Sequence, residues 1–350
     1  MRLFARKGAT EPGAAVLAEP PPASFGGTDE ALDAEIERLA KTGWASATLE
    51  VERALLRLRN EAGVRRLQTG TDAASFPDAA SVQLPPPGSL PEFSPADLTP
   101  AVLRAAILRD GCVLVRGLIP RRHAEELATL IDRAFAERSD HDGGRSHDAA
   151  FYEEFISDPR AGEPLTTREW IKQGGGVLSA DSPAVSYRMT ELFSAARLPA
   201  LVGAYLGESP LVAVEKTTLR KADPGVPGGW HQDGKFMGEV RALNLWLALS
   251  RCGDIAPGLD IVPLRFDQLL TAQTDDAVLD YVISQRMVEV AAGETPILRP
   301  TFEPGDALFF DELFLHKTGS DADMPQPRFA IENWFFGASG FPAQYAPMSV

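Results

Sequence analysis

The stretch ALNLWLALS, residues 242–250, alternates without a break. Leu243, Leu245, Leu247 and Leu249 fall on one side of an extended chain, and Asn244, Trp246, Ala248 and Ser250 on the other. One leucine face buried against helices, with a mixed face turned to a cavity, fits a strand of a barrel or sandwich covered on one side. The surroundings agree. LVAVEKTTLRK (211–221) is rich in β-branched residues, EPGDALFF (303–310) is a Pro-Gly turn feeding a strand, and RFAIENWFF (328–336) is a further strand. Before residue 210 the pattern is mostly helical. Thr99 caps a helix that starts at Pro100 and is closed by Gly111; CVLVR (112–116) is a short buried strand; Pro120–Arg138 and Val185–Leu206 read as longer helices. Helices first and strands afterwards give an α+β chain with helices packed on one side of a β core.

Further upstream, residues 1–27 are rich in Pro, Gly and Ala and read as a mobile tail. Leu32, Ile36 and Leu39, then Leu49, Leu55, Leu56 and Leu58, give a helical pair ending near Gly63. Residues 69–97, with Pro85–Pro87, read as a linker strapped over the surface. The division is therefore an extension and linker over 1–97 and a main domain over 98–350. The chain of 350 residues carries 34 Lys and Arg against 49 Asp and Glu, a net charge of −15. Such a surface repels phosphate backbones and anionic lipids, and no apolar run reaches the roughly 18 residues of a membrane span. A small-molecule partner is expected rather than nucleic acid or a membrane; oligomeric state is open. The start lacks the unbroken apolar run of a secretion signal, and Cys112 and Cys252 read as two buried, reduced thiols. A cytoplasmic location is the expectation.

Chemistry concentrates around two of the five histidines. His231 and Asp233 lie in GGWHQDGKF (228–236), at positions that share a side of an extended segment; His316 lies in FFDELFLHKTGS (309–320). Two imidazoles and one carboxylate on a triangular face leave three positions open at a metal, which suits non-haem Fe(II) binding a co-substrate and O2. An isolated histidine is more often a hydrogen-bonded structural residue than a ligand, and His-x-Asp recurs by chance. Arg328 adds weight, because a fixed guanidinium facing a cavity is the natural partner of a dicarboxylate. Thr318 adds a hydroxyl to the same carboxylate. Lys216, Thr218 and Arg220 share one strand face, lining the cavity or forming a solvated edge. Residues 139–184 are polar and Gly-rich, and Lys172, Gln173 and the run Gly174–Gly176 are lid candidates over 170–180. His123 reads as solvated, and His141 and His147 as parts of a mobile loop.

Residues from about 98 to 337 resemble the phytanoyl-CoA dioxygenase family of Fe(II)/2-oxoglutarate oxygenases. The matching stretches are LRAAILRDGCVLVRGLI (103–119), WHQD (230–233), NLWLAL (244–249), EPGDALFF, and His316 followed by Arg328. The resemblance implies a double-stranded β-helix, a cupin-like jelly-roll. It implies iron held by His231, Asp233 and His316, and 2-oxoglutarate anchored through its distal carboxylate by Arg328, with O2 as the other co-substrate. Trp246 matches an aromatic that shapes the co-substrate pocket in that family, and Asn244 shares its face. Related halogenases replace the carboxylate ligand with a small residue, so Asp233 points to hydroxylation, desaturation or cyclisation. The segment APGLDIVPLRFDQLL (256–270) departs from the family's Pro-Gly-Ser-His stretch, and no counterpart is recognised before about residue 90. A metal- or ligand-binding barrel without oxidative turnover, acting as a sensor or scaffold, is the alternative; a zinc hydrolase on the same ligands is a third.

Overall fold

The computed structural model describes residues 24–70, 72–86, 89–161, 168–226, 228–238, 240–273 and 279–350. Most of the expected tail, and Pro87 of the triple proline, lie outside them. Ten strands are described: β1 Glu92–Phe93, β2 Cys112–Val115, β3 Gly176–Leu178, β4 Pro210–Ala222, β5 Ala242–Ala248, β6 Gly258–Ile261, β7 Ala307–Phe310, β8 His316–Gly319, β9 Arg328–Gly337 and β10 Pro347–Ser349. The large sheet runs β1-β2-β7-β5-β9-β4-β10, with β3 also paired to β4; β6 and β8 form a second, small sheet. Isolated bridges widen the small sheet, joining His231 to His316, Trp230 to Ile283 and Ile261 to Leu298. The two sheets make the double-stranded β-helix, and β5 lies near the middle of the larger one.

The alternation along β5 divides the core as its sequence requires. Leu243, Leu245, Leu247 and Leu249 pack in one cluster with helix residues such as Leu103, Ile107, Leu127 and Leu198. Trp246 and Ala248 join a second cluster inside the barrel, with Phe302, Leu308, Phe310 and Phe336. Nine helices are described, α1 Asp29–Ala40, α2 Leu49–Thr69, α3 Pro100–Asp110, α4 Arg121–Asp142, α5 Arg168–Gln173, α6 Pro183–Ala195, α7 Leu198–Leu206, α8 Gly234–Met237 and α9 Gln285–Ala292. The Thr99 hydroxyl accepts from the Val102 N–H, and Gly111 closes α3 in the left-handed conformation. The helix expected over 185–206 is two helices, because Arg197 takes φ 57° and breaks the ladder between α6 and α7.

Three corrections concern the first hundred residues. The end of the expected tail is tied down: the Arg65 guanidinium donates to the carbonyls of Phe25 and Gly27. Residues 92–93 are more than linker, since β1 adds a parallel edge strand to β2. The helix expected to stop near Gly63 continues to Thr69 and stops at Gly70, φ 67°. Gly63 is there for contact rather than termination. A Cβ on it would stand 2.8 Å from the Pro347 carbonyl carbon and oxygen, so its bare backbone lets α2 lie against β10. Next to it, the Asn60 amide donates to the Pro347 carbonyl at 2.6 Å. Helix propensity alone favours alanine over glycine by about 1 kcal/mol. We expect the clash to win, so that Gly63→Ala is destabilised by ~1–3 kcal/mol, read as a lower urea midpoint at unchanged slope. An unchanged or raised midpoint would mean that α2 shifts freely on β10.

Cys112 and Cys252 are buried and unbridged, as expected. No described helix is long and apolar enough to cross a membrane.

Candidate metal centre and its cavity

Among the described residues, one group of His, Cys, Asp and Glu donors is gathered closely enough to hold a metal ion. It is His231, Asp233 and His316, with one ligand atom of each within 4.8 Å of the others. The strand pairing builds it. His231 and His316 exchange backbone hydrogen bonds at 3.0 and 3.2 Å, which sets their rings side by side, 4.5 Å between centroids. The extended run ends at Gln232, whose amide donates to the Leu313 carbonyl at 2.7 Å and whose oxygen accepts from the Leu270 N–H. Asp233 follows in helical conformation (φ −63°, ψ −24°), immediately before α8, and its side chain makes no capping bond. The side chains on either side of Gln232 thus share one centre, while Gln232 itself fastens the neighbouring loops.

Each imidazole is oriented by a carbonyl. Nδ1 of His231 lies 2.8 Å from the Gly229 oxygen, and Nδ1 of His316 lies 3.2 Å from the Phe314 oxygen. With Nδ1 donating, Nε2 of each ring keeps its lone pair for a cation, the usual outer-shell arrangement of metal-binding histidines. Burial, then the neighbouring His231, push His316 down to about 4, so it is neutral at physiological pH. Burial opposes the charge of Asp233, but Lys216 and the two histidines outweigh it and hold the carboxyl below its usual range. Its Oδ1 faces the Lys216 ammonium at 3.4 Å, while its buried Oδ2 has no hydrogen-bond partner. Two imidazole lone pairs and one unclaimed carboxylate oxygen fit a divalent first-row metal with open positions.

The three residues lie in a cavity of about 530 Å³ between the two sheets. Arg328, first residue of β9, also lines it and is 4% exposed. Its Nη1 donates to the Gly258 carbonyl at 3.0 Å, its guanidinium lies 5.4 Å from the Trp246 ring, and its buried Nε has no partner. Burial lowers it to about 10. Among the described residues no carboxylate pairs with it, and a buried guanidinium so placed suits an anion. Thr318 and Trp246 line the same cavity. Asn244 does not: it is sealed within the barrel at 0% exposure, with neither amide atom hydrogen-bonded. The alternation placed it on the inner face correctly, but that face is packed there.

Lys216, Thr218 and Arg220 line the wall rather than forming a solvated edge, and the Thr218 hydroxyl is buried without a partner. Lys172, Gln173 and Gly175 stand at the rim, with the Lys172 ammonium 2.6 Å from Asp142. The expected loop 139–184 is largely built structure. Helix α4 runs to Asp142, β3 joins the large sheet, and Ser179–Asp181 are buried, Asp181 held by Arg168 at 2.8 Å. Residues 162–167 lie outside the described set. His123 is not solvated; Arg188 donates to its Nδ1 at 2.8 Å, beside Glu126. His141 and His147 pack edge to face at 4.9 Å and belong to no described metal group.

Several cavity residues escape a reading of the sequence. Glu332 pairs with Arg220 at 2.8 Å; burial opposes its charge, but Arg220 outweighs it and keeps the carboxyl low. The even positions of β9 (Arg328, Ala330, Glu332, Trp334) face inward, so alternation from Arg328 was the available signal. Phe236, Tyr281 and Trp170 form an aromatic flank, and Glu215 lies deeper.

No protein-family model matches the chain, and no curated protein does. Solved structures do match. The structure of EctD from S. alaskensis with 2-oxoglutarate and 5-hydroxyectoine is 19% identical, over 78% of this chain and 86% of that one, with a TM-score of 0.51. The non-heme alpha ketoglutarate dependent epimerase SnoN from nogalamycin biosynthesis is 21% identical, over 70% of this chain and 86% of that one, with a TM-score of 0.46. The EctD likeness bears on the fold, and agrees with the double-stranded β-helix described above.

Proposed function

We propose that the chain is an Fe(II)/2-oxoglutarate-dependent dioxygenase that hydroxylates, or otherwise oxidises, an unactivated C–H bond of a small organic metabolite. The observation that carries this reading is the meeting of two kinds of binding group in one cavity. Three oriented metal donors converge there, and a buried guanidinium, paired with no carboxylate among the described residues, lines the same cavity. His231, Asp233 and His316 would hold the iron. Arg328 would take the distal carboxylate of 2-oxoglutarate, with Thr318 adding a hydroxyl and Trp246 a flat wall. When bound, iron with 2-oxoglutarate and O2 supplies the oxidising power for C–H cleavage, and 2-oxoglutarate leaves as succinate and CO2. The catalytic body is assigned to residues 98–350, with 1–97 as an extension. The fit of solved structures such as EctD to this fold is a secondary support, because one fold serves many chemistries.

The direct test is succinate release by purified protein given Fe(II), 2-oxoglutarate and O2, including the slow turnover that runs without substrate. Release that needs all three supports the reading. Iron bound with no succinate formed, across a broad metabolite panel, returns the chain to a binding barrel; hydrolysis by the zinc-loaded form would make it a hydrolase.

The lid reading narrows to α5 with Gly174 and Gly175. Gly175 takes φ 69°, and a Cβ there would meet the Lys221 carbonyl at 2.7 Å, so only glycine lets this corner lie directly on β4. Hydrogen exchange at residues 168–175 is expected to slow when metal, 2-oxoglutarate and substrate are all bound, while β3 changes little. Equal protection of both segments in all states would remove α5 from that role.

A further inference from the structure

Strand β4 changes phase. Val212 pairs with Phe335 and Thr217 with Asn333, so five steps along β4 face two along β9. An odd number of extra residues switches which parity points inward. Ala213 faces the barrel interior before the irregularity, and Lys216, Thr218 and Arg220 line the cavity after it. The switch falls between Glu215 and Lys216, and both of these consecutive residues line the cavity, which a regular strand forbids.

We propose that Glu215 is a specificity-determining residue that receives a cationic, N–H-bearing nitrogen of the substrate. The inference rests on the oxygenase reading above and concerns what that site selects. Glu215 is 5% exposed, and the Ala346 N–H donates to its carboxylate, at 2.9 Å to Oε2 and 3.2 Å to Oε1. Two other acids of the cavity, the buried Asp233 and the half-buried Glu332, each face a cation: Asp233 has Lys216 at 3.4 Å and Glu332 has Arg220 at 2.8 Å. Among the described residues no cation stands within ion-pair distance of Glu215. Burial therefore pushes its carboxyl up to about 7, against the help of two backbone hydrogen bonds. A buried acid turned by a bulge onto the cavity wall, with only the distant charge of Arg168 to help it, lacks a direct partner, and the cavity has room for one.

The flank of the cavity asks for the same charge. Trp170 and Phe236 are 5.7 Å apart, Phe236 and Tyr281 5.1 Å, and the Lys216 ammonium already lies 5.1 Å from the Phe236 ring centre. Such faces attract an alkylammonium group. An anionic substrate gains less here, because Lys172 and Arg220 at the rim and wall are already paired with Asp142 and Glu332.

The test uses the full chain loaded with Mn(II) and 2-oxoglutarate. The probes are primary amines graded from ethylamine to phenethylamine, each beside its N-acetyl derivative. Saturable rise in Tm gives the affinity of each. The expected result is at least one amine preferred tenfold or more over its acetyl partner. Glu215→Gln, which keeps an acceptor for the Ala346 N–H, should reduce that ratio to within about twofold. No saturable amine binding in any pair, or a preference that survives in Glu215→Gln, overturns the proposal. The oxygenase reading is judged separately, by wild-type succinate release without any amine, so the two can fail independently.

Discussion

His316→Ala should lose Fe(II)-dependent succinate formation altogether. Loss of an outer-shell partner of a metal ligand typically costs ~10–100-fold in affinity or activity; loss of one of the three proposed ligands should exceed that. The structure gives the reason. His231 and Asp233 come from one short stretch around Gln232, and only the ring of His316, brought by β8, closes the triangle. Without it, Asp233 keeps Lys216 at 3.4 Å, and an ammonium then competes with the metal for the carboxylate. The ring is also packing, 4.8 Å from Phe310 and stacked 5.8 Å from Phe314, so alanine leaves a hole. His316→Gln fills most of it and separates the effects. Both variants should lose bound iron, and His316→Gln should unfold closer to the wild-type midpoint. Full succinate formation in either would remove His316 from the metal site.

Replacing Arg328 should act on 2-oxoglutarate rather than on iron. Stripping a buried carboxylate of its cation often costs on the order of 3 kcal/mol or more, roughly a hundredfold or greater in affinity. The apparent KM for 2-oxoglutarate should rise by at least that factor in Arg328→Met, with iron binding retained. Arg328→Lys should recover only part, because an ammonium cannot present the planar fork. The stability of the ligand-free protein should move the other way. Arg328 is buried with no carboxylate beside it, and burial lowers it to about 10. At neutral pH it is charged in both folded and unfolded chains, so the folded chain carries the cost of keeping that charge from water. Arg328→Met should therefore unfold no earlier than wild type without 2-oxoglutarate, and should gain less when it is added. A variant that loses stability and keeps its KM would make Arg328 a structural residue.

The order of elements was legible because burial on one face writes itself into sequence. The leucines of 242–250 packed where a period of two puts them, and Thr99, Pro100 and Gly111 bounded a helix with ordinary capping chemistry. What stayed hidden depended on partners distant in the chain. Gly63 looks like a helix stop until β10 is seen against it. The run 139–184 looks loose because β3 borrows its order from β4. At the cavity, His231, Asp233, His316, Arg328, Thr318 and Trp246 could be named from pattern and resemblance, and the fold gathers all of them there. Asn244 shows the limit: alternation reports a face, not whether that face is open. Glu215 shows another, because no local feature of LVAVEKTTLRK announces a change of register.

That change of register also governs how β4 can vary. Odd-numbered residues up to Glu215 share a side with even-numbered residues from Lys216 onward. Any map of tolerated substitutions along 211–222 should therefore run in two stretches of opposite phase. Insertion or loss of a single residue within 213–216 would bring the phases back into step. Either Ala213 and Glu215, or Lys216, Thr218 and Arg220, would then turn away from the barrel interior together. Point changes can alter this wall one contact at a time, but a one-residue change in length exchanges half of it at once. The segment should accept new side chains far more readily than a new length.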